Sequence, residues 1–332
     1  MIAGLFGVVS SQIDVPFSTT TLLSAKIYFD NATDVVANNM AFGDGVFVAT
    51  TGTSGNFTQV YKKYPHQSIT ANWTSATLTS SLRTRISYSG GQWMLVGGAT
   101  GGVRRAEHID QANQTVGTST ATPYLRIGYH PSTSPGWIFA AGSANAGSTR
   151  WIPNDGVYAS SDYDTGDIQA SGIASSGTTA VMVGQDTRTT ALYPMILNTT
   201  NPSGNNWTSR TTSFGTTLNT NIRDVFYANG YFVAVGSSGK IATSTNGTTW
   251  TQKVTGISVS DTVYSVTYHR EKWYIINVNG SVYRSNTSDP TGTWSNMGDI
   301  TTDTLTTNVE LRSNEAYMFY ADSAGDNVVL IR

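Results

Sequence analysis

The chain has 332 residues, 12% of them charged, and a formal net charge of −2 at pH 7. The charged share is about half of the roughly 25% that is usual in globular domains, so we expect a neutral, hydroxyl-rich surface. This balance gives no electrostatic basis for binding nucleic acid or an anionic membrane. The absence of cysteine excludes disulfides and thiolate metal sites, and no apolar run reaches the ~18 residues of a membrane-spanning helix.

The N-terminal segment is apolar but is a poor match to a signal peptide. Residues 1–9 carry no basic residue ahead of the apolar run, whereas secretory leaders begin with a basic region. The repeats that follow are complete without residues 1–17. We therefore expect them to form an arm that either docks to a neighbouring protein or adds a strand, with Leu5, Phe6, Val8 and Val9 as the docking side chains.

A short apolar strand recurs seven times along the rest of the chain. Its copies begin between 42 and 51 residues apart, at residues 46–49, 93–96, 137–140, 180–183, 231–234, 273–276 and 316–319. A turn precedes each copy and is often rich in glycine, and an alternating apolar and polar stretch lies before that turn. Alternation of this kind predicts a strand with one face packed on a neighbouring sheet.

The fifth copy is the best preserved and shows what one repeat contains. Asn229-Gly230 predicts a tight hairpin turn, because both central residues of a type I′ turn need a positive φ. A second strand follows, then a turn and a third strand containing Ile241. Asn246-Gly247 predicts another turn, and Trp250 opens a fourth strand. Each repeat is therefore predicted to be a four-stranded meander.

Repeats of this length and content are typical of β-propeller blades, which bury their faces by stacking around a ring. We predict an all-β fold with seven four-stranded antiparallel blades in residues 18–332. Because the last repeat ends after three strands, we expect its fourth strand to come from residues 22–29, which would close the ring. The predicted blades are 33–80, 81–122, 123–167, 168–217, 218–259, 260–304, and 305–332 joined by 18–31.

The motif Ser244-Thr-Asn-Gly-Thr-Thr-Trp250 resembles a degenerate Asp-box, the Ser-x-Asp-x-Gly-x-x-Trp hairpin of sialidase-type propellers. It is one residue shorter and has Asn in place of Asp. The longer string from Asn229 to Trp250 is similar to repeats in bacteriophage virion and tail proteins and in photosystem II assembly-factor-like propellers. These resemblances imply the fold more strongly than they imply a function.

Catalysis of the sialidase type would require three arginines, a Tyr–Glu pair and an acidic Asp, as that resemblance implies. Only four glutamates occur, and Glu107 stands in the most charged stretch, beside Arg104, Arg105 and His108. That stretch follows a third strand, so we expect a solvated cluster near the outer edge, although its arginines are candidates for ligand contact. We expect no catalytic residue.

Three further arginines, Arg85, Arg126 and Arg223, lie on or beside predicted innermost strands. They are candidates for lining the mouth of a central channel and contacting an anionic ligand; alternatively, they are solvated strand ends. Asp162, Asp164 and Asp167 have oxygen-ligand spacing suited to calcium. They lack the bidentate Glu of such a loop, so a simple turn is the alternative. The four histidines show no metal-ligand spacing, and we expect no cofactor.

Three functions remain open from the sequence. The first is a non-enzymatic structural and adhesion component of a phage virion, in a tail, fibre-associated or capsid-decorating position. Its partners would be other virion proteins and a host surface glycan or receptor, with no nucleic acid and no membrane insertion. The chain would then be assembled in the host cytoplasm without a signal peptide. The alternatives are a carbohydrate-binding or glycan-cleaving propeller and a bacterial assembly-factor-like propeller that binds a membrane complex.

Overall fold

A computed structural model of the chain describes about two thirds of the residues. The described ranges are 24–27, 37–53, 56–63, 74–75, 85–97, 102–110, 114–117, 124–141, 148–154, 163–164, 168–186, 193–204, 206–210, 221–253, 257, 261–299, 309–313, 318–321 and 328–331. Within these ranges every regular element is a β-strand, and no helix is long and apolar enough to cross a bilayer. The predicted all-β class is confirmed.

The described strands form seven four-stranded sheets, here numbered I to VII. Strand β1 (Ser24–Ile27) comes first in the chain. Sheet I contains β2 (Ala37–Gly43), β3 (Val46–Thr53), β4 (Asn56–Lys63) and β5 (Thr74–Ser75). Sheet II contains β6 (Arg85–Ser89), β7 (Gln92–Gly97), β8 (Gly102–Ala106) and β9 (Gln114–Gly117). Sheet III contains β10 (Tyr124–His130), β11 (Gly136–Ala141), β12 (Ser148–Pro153) and β13 (Tyr163–Asp164).

The remaining sheets follow the same pattern. Sheet IV contains β14 (Ile168–Ser175), β15 (Ala180–Asp186), β16 (Tyr193–Thr199) and β17 (Thr208–Arg210). Sheet V contains β18 (Ile222–Ala228), β19 (Tyr231–Gly236), β20 (Ile241–Ser244) and β21 (Thr251–Lys253). Sheet VI contains β22 (Val263–His269), β23 (Lys272–Asn277), β24 (Ser281–Ser285) and β25 (Trp294–Asp299). Sheet VII contains β26 (Glu310–Ser313), β27 (Met318–Ala321) and β28 (Val328–Ile331), together with β1.

Sheets I to VI are meanders in which each strand pairs with the next in antiparallel fashion, which confirms the predicted four-stranded antiparallel sheets. Sheet VII is assembled from both ends of the chain. Its order is β1-β28-β27-β26, and Ser24 and Ile27 lie opposite Ile331 and Val328. The outer strand of this sheet therefore comes from the N-terminal part of the chain and the other three from the C-terminal part.

The first strands of sheets I to VI and β26 of sheet VII are called the inner strands below, because they contact one another in succession. Contacts join β2 to β6, β6 to β10, β10 to β14, β14 to β18, β18 to β22 and β22 to β26, and β26 also contacts β2. The inner strands of neighbouring sheets therefore lie next to one another.

The second strands of sheets I to VI lie deep in the apolar core between sheets. Trp93, Trp137 and Trp273 are the second residues of β7, β11 and β23, and none exposes its side chain to solvent. Each packs against a tyrosine of the preceding inner strand, with ring centroids about 5 Å apart. The recurring tryptophans that the sequence shows are therefore core residues.

The turns follow the chemistry that the sequence predicts. Asn229 and Gly230 both have positive φ, at 47° and 78°, as a type I′ hairpin requires. In the Asp-box-like turn, Asn246 Oδ1 accepts hydrogen bonds from the backbone N–H groups of Thr248 and Thr249, at 2.8 and 2.9 Å. Trp250 Nε1 closes this turn by donating to the carbonyl of Gly247. Asn thus supplies the acceptor that Asp supplies in the motif it resembles.

Candidate functional site

A polar cavity of about 50 Å³ lies where the inner strands meet. A volume of this size holds a few water molecules. Residues from six of the seven sheets line it: Asn39, Arg85, Ile86, Ser87, Arg126, Ile127, Gly172, Ile173, Asp224, Glu310 and Arg312. Every one of them belongs to an inner strand, so the cavity lies among the inner strands of these six sheets.

A β-bulge at the start of the inner strand aims these side chains. The pairing register shifts at the same point in five inner strands, directly before Asn39, Arg126, Gly172, Asp224 and Ser265. Arg85 and Glu310 hold the matching place in the other two strands, each directly before a buried apolar residue. A bulge bends the strand and redirects a side chain, so six of these positions each carry a side chain and the seventh, Gly172, contributes backbone only. These seven are called the bulge-position residues below.

Three bulge-position residues bind the backbone of the following sheet. Asn39 Oδ1 accepts from the N–H of Ile86 at 2.7 Å, and Asp224 Oδ2 accepts from the N–H of Val266 at 3.2 Å. The equivalent contact between sheets VI and VII runs from the N–H of Leu311 to Ser265 Oγ, at 3.0 Å. The repetition of this contact shows that the bulge position joins neighbouring sheets.

Asp224 is the most heavily bonded member of the group, and it is only 5% exposed. Besides Val266, its Oδ2 accepts from Ser265 Oγ at 2.6 Å and lies 3.3 Å from Arg312 Nη1. Its Oδ1 accepts from the N–H of Val225 at 2.9 Å. Asp224 therefore connects sheet V both to sheet VI and, through Arg312, to sheet VII.

Glu310 is the second carboxylate of the cavity. It pairs with Arg85 of sheet II and accepts a hydrogen bond from Asn39 Nδ2 of sheet I. Arg312 Nη2 lies 3.4 Å from Glu310 Oε2. Since Arg312 also contacts Asp224, a single guanidinium bridges the two carboxylates of the cavity.

The two other arginines of the cavity are affected mainly by burial. Burial lowers the pKa of Arg126 to about 10; the Asp224 charge opposes this lowering, while Arg312 and Arg223 add to it. Burial also lowers the pKa of Arg85, and repulsion from Arg126 and Arg312 lowers it further. Arg126 Nε donates to the carbonyl of Ser171 in sheet IV. The positive charges of the arginines thus repel one another across the cavity.

The structure separates the five arginines that the sequence singled out. Arg85 and Arg126 line the cavity, whereas Arg223, the bulged residue next to Asp224, lies over the ring of Tyr264 at 5.7 Å. Arg104 and Arg105 are on β8, the third strand of sheet II. Arg105 Nη1 donates to the carbonyl of Asn154, the residue that follows β12 of sheet III. The charged stretch of sheet II is therefore separate from the cavity.

Next to that stretch, His108 makes a contact between sheets. Its Nδ1 lies 2.7 Å from Asp44 Oδ2 in the turn between β2 and β3, and both side chains are exposed. The hydrogen bond that Asp44 accepts, together with its negative charge, raises the pKa of His108. This pair belongs to the surface of sheets I and II, and nothing joins it to the cavity among the contacts of the described residues.

Two other groups of predicted site residues lie outside the described residues. These are the docking side chains Leu5, Phe6, Val8 and Val9, and the calcium candidates Asp162 and Asp167; of Asp164 only the backbone, in β13, is described. In the described part of the chain, no group of three or more His, Asp or Glu side chains is placed to hold a metal ion.

Sequence analysis missed five of the polar residues at the centre, although a signal for them exists. In all seven inner strands, the bulge-position residue is followed directly by an apolar residue. The pairs are Asn39-Met40, Arg85-Ile86, Arg126-Ile127, Gly172-Ile173, Asp224-Val225, Ser265-Val266 and Glu310-Leu311. Aligning the repeats on the inner strand rather than the second strand would have revealed Asn39, Asp224, Ser265 and Glu310 together, with Arg312 two residues after Glu310.

Comparison with solved structures identifies the architecture. YCF48 from Cyanidioschyzon merolae matches with a TM-score of 0.62 at 11% sequence identity, over 93% of this chain and 98% of that one. A streptogramin B lyase matches with a TM-score of 0.68 at 9% identity, over 94% and 97% of the two chains. The WD40 β-propeller domain of Doa1 matches with a TM-score of 0.63 at 11% identity, over 93% and 96%. The chain has a β-propeller fold.

These similarities concern the fold alone, because the propeller architecture carries many unrelated functions. No protein-family model and no curated protein sequence matches the chain. Its function must therefore be argued from its own residues.

Proposed function

We propose that the chain is a seven-bladed β-propeller, closed by the pairing of β1 with β28, that acts as a non-enzymatic structural and adhesion component of a bacteriophage virion. Seven four-stranded sheets and the succession of contacts among inner strands, including β26 with β2, support the ring. The similarity of residues 229–250 to phage virion and tail repeats, together with the hydroxyl-rich, cysteine-free composition, supports the virion role.

The observation that carries the scaffold role is how the central carboxylates are used. Asp224 binds Ser265, Val266 and Arg312, and Glu310 binds residues of sheets I and II. A general acid or a nucleophile needs a side chain directed at a substrate, whereas these two are bonded between blades. In this proposal the polar residues of the cavity hold the ring together, and a rigid ring of this kind offers its two faces and its rim for docking.

The proposal assigns the remaining parts of the chain as follows. Residues 1–17 form the docking arm, with Leu5, Phe6, Val8 and Val9 as its apolar contacts, and residues 18–332 form the propeller. The partners are neighbouring virion subunits in a tail, fibre or capsid position, with contact to a host surface glycan as a second role. Neither nucleic acid nor membrane insertion is involved.

Quantitative mass spectrometry of purified particles tests this role. Particles from a culture that expresses the chain should contain it at a fixed ratio to the major particle protein, with equal recovery after a high-salt wash. A chain that is absent from particles and sediments with membranes instead would contradict the virion role. That result would favour the assembly-factor alternative, whose structural relative YCF48 has been solved bound to a D1 peptide.

Glycan cleavage is a second candidate because the cavity brings together three arginines and two carboxylates. Glycoside hydrolysis commonly uses a carboxylate pair that flanks the scissile bond, and Asp224 and Glu310 face the same cavity. A panel of fluorogenic glycosides, including a sialoside, tests this candidate with the wild-type chain and the Glu310→Gln variant. Turnover that disappears in the variant would replace the scaffold proposal; equal background in both would remove cleavage.

A further inference from the structure

The chain contains three Asn-Gly pairs, at residues 229–230, 246–247 and 279–280. Asparagine is one of the thermolabile residues, because its carboxamide can lose ammonia when the next backbone nitrogen attacks it. A following glycine favours this attack, since it has no side chain to shield its nitrogen and leaves the backbone free to rotate. The surroundings of each pair therefore decide where the reaction can occur.

Two of the three glycine nitrogens are held by hydrogen bonds inside packed turns. The N–H of Gly247 donates to Ser244 Oγ at 2.9 Å, and the N–H of Gly280 donates to the carbonyl of Asn277 at 3.1 Å. Both glycines are buried, and a Cβ at Gly247 would lie only 2.8 Å from Val181. Attack by either nitrogen therefore requires its turn to open and its hydrogen bond to break.

The turn at Asn229-Gly230 differs in each of these respects. Both residues are exposed, and a Cβ at Gly230 would meet no atom within 4 Å. Among the described residues, nothing accepts a hydrogen bond from the N–H of Gly230. Ring closure needs a rotation about the Cα–C bond of Asn229, and an exposed two-residue turn opens locally at little cost in free energy. Asn229 is therefore the most reactive of the three asparagines.

The carboxamide of Asn229 also joins two sheets. Its Nδ2 donates at 3.2 Å to the carbonyl of Ser288, which lies between β24 and β25 of sheet VI. The same carbonyl accepts from Trp273 Nε1 at 3.0 Å. An aspartate in place of Asn229 would be ionised near neutral pH and would have no hydrogen to donate. Loss of the amide nitrogen would thus place a negative charge against a carbonyl oxygen.

We propose that Asn229 is a site of spontaneous deamidation, which converts a contact between sheets V and VI into a repulsion. The backbone nitrogen of Gly230 loses its proton to a base in the solvent and attacks Asn229 Cγ. The new N–Cγ bond closes a succinimide ring, and the Cγ–Nδ2 bond breaks as ammonia takes up a proton and leaves.

Water then opens the ring at one of its two carbonyls. Hydrolysis at Cγ restores the main chain and gives aspartate, whereas hydrolysis at the backbone carbonyl leaves the chain running through Cγ and gives isoaspartate. The isoaspartate main chain is one carbon longer and does not fit a two-residue turn. This modification is independent of the proposed virion role, which would survive its failure.

Peptide mapping by mass spectrometry, after incubation of the folded chain in mildly alkaline buffer, tests the site. We expect aspartate and isoaspartate to accumulate at Asn229 about tenfold faster than at Asn246 or Asn279, because packed turns open less often. In denaturing urea the three pairs should react at similar rates. Equal rates in the folded chain would overturn the proposal, and so would a preference for Asn229 that persists in urea.

Two aspartate variants test the effect on the contact between sheets. Asn229→Asp reproduces one product of the reaction and should melt below the wild type, because Ser288 loses a donor and meets a charge. Asn246→Asp is the matched control, since Asn246 accepts hydrogen bonds in its turn and aspartate accepts them equally. Equal melting temperatures for the two variants would contradict the proposed loss of the contact between sheets V and VI.

Discussion

Replacing Asp224 by alanine tests whether the central polar residues hold the blades together. The substitution leaves the backbone N–H of Val266 without its acceptor, and Val266 is fully buried. A buried donor without a partner costs about 1–3 kcal/mol. The Arg312 side chain is 30% exposed, so its lost ion pair adds only about 0–1 kcal/mol. The hydrogen bond from Ser265 Oγ to Asp224 is lost as well. In total we expect the free energy of unfolding to fall by about 3 kcal/mol.

That loss translates into a measurable change of melting temperature. An unfolding entropy of about 2.1 cal/mol/K per residue gives about 0.7 kcal/mol/K for a chain of this length. The Asp224→Ala variant should then melt about 4 °C below the wild type in differential scanning calorimetry. Glu107→Ala is the matched control, because it removes the same charge from an exposed residue that follows β8 of sheet II. Equal melting temperatures for the two variants would refute the structural role of Asp224.

Three further predictions concern other parts of the fold. Burial lowers the pKa of His130. Below the ordinary histidine pKa of about 6.5, the unfolded chain therefore binds more protons than the folded chain, and stability falls with pH. The free energy of unfolding of the wild type should decline from pH 7.5 to 5.5 more steeply than that of His130→Asn. Asn246→Ala should cost about 1 kcal/mol, because the N–H groups of Thr248 and Thr249 lose their acceptor, whereas Asn246→Asp should melt within about 1 °C of the wild type. Deletion of residues 1–27 removes β1 from sheet VII and should broaden the melting transition and promote self-association through the uncovered edge of β28.

Each of these outcomes can fail in a defined way. Parallel pH profiles for the wild type and His130→Asn would show that the burial of this imidazole, whose Nδ1 contacts Ser175 Oγ at 2.6 Å, does not govern acid sensitivity. His108 works in the opposite direction, because its pKa is raised and its contribution is lost as pH rises. An Asn246→Asp variant as unstable as Asn246→Ala would contradict the acceptor role, and a monomeric, unchanged deletion variant would contradict closure by β1.

Local patterns made most of the fold predictable from the sequence. The Asn229-Gly230 and Asn246-Gly247 pairs predict their turns directly. The regular spacing of the tryptophans near the start of the second strands indicates that they pack in the core. The number of strands in each sheet follows from these short-range signals, since a hairpin depends on residues that are close in the chain.

The central site could be predicted only in part, because it depends on contacts between residues far apart in the chain. Asp224 and Arg312 are in contact although they lie 88 residues apart in the chain, and Asn39 and Glu310 are in contact at a separation of 271 residues. Arg85, Arg126 and Arg223 look equivalent in sequence, yet Arg223 is itself the bulged residue and lies over Tyr264, whereas Arg126 follows a bulge and lines the cavity together with Arg85. A one-residue bulge decides which side chain points inward, and no short motif marks it.

A double-mutant cycle between Asp224 and Arg312 tests most directly the central claim that charged inner-strand residues hold the blades to one another. These residues belong to sheets V and VII and are 3.3 Å apart. Unfolding of the wild type, Asp224→Ala, Arg312→Ala and the double variant in urea yields their coupling free energy. We predict a coupling of about 0.5–1 kcal/mol, as expected for a pair whose arginine is partly exposed. Additive effects, with a coupling below about 0.3 kcal/mol, would contradict the claim.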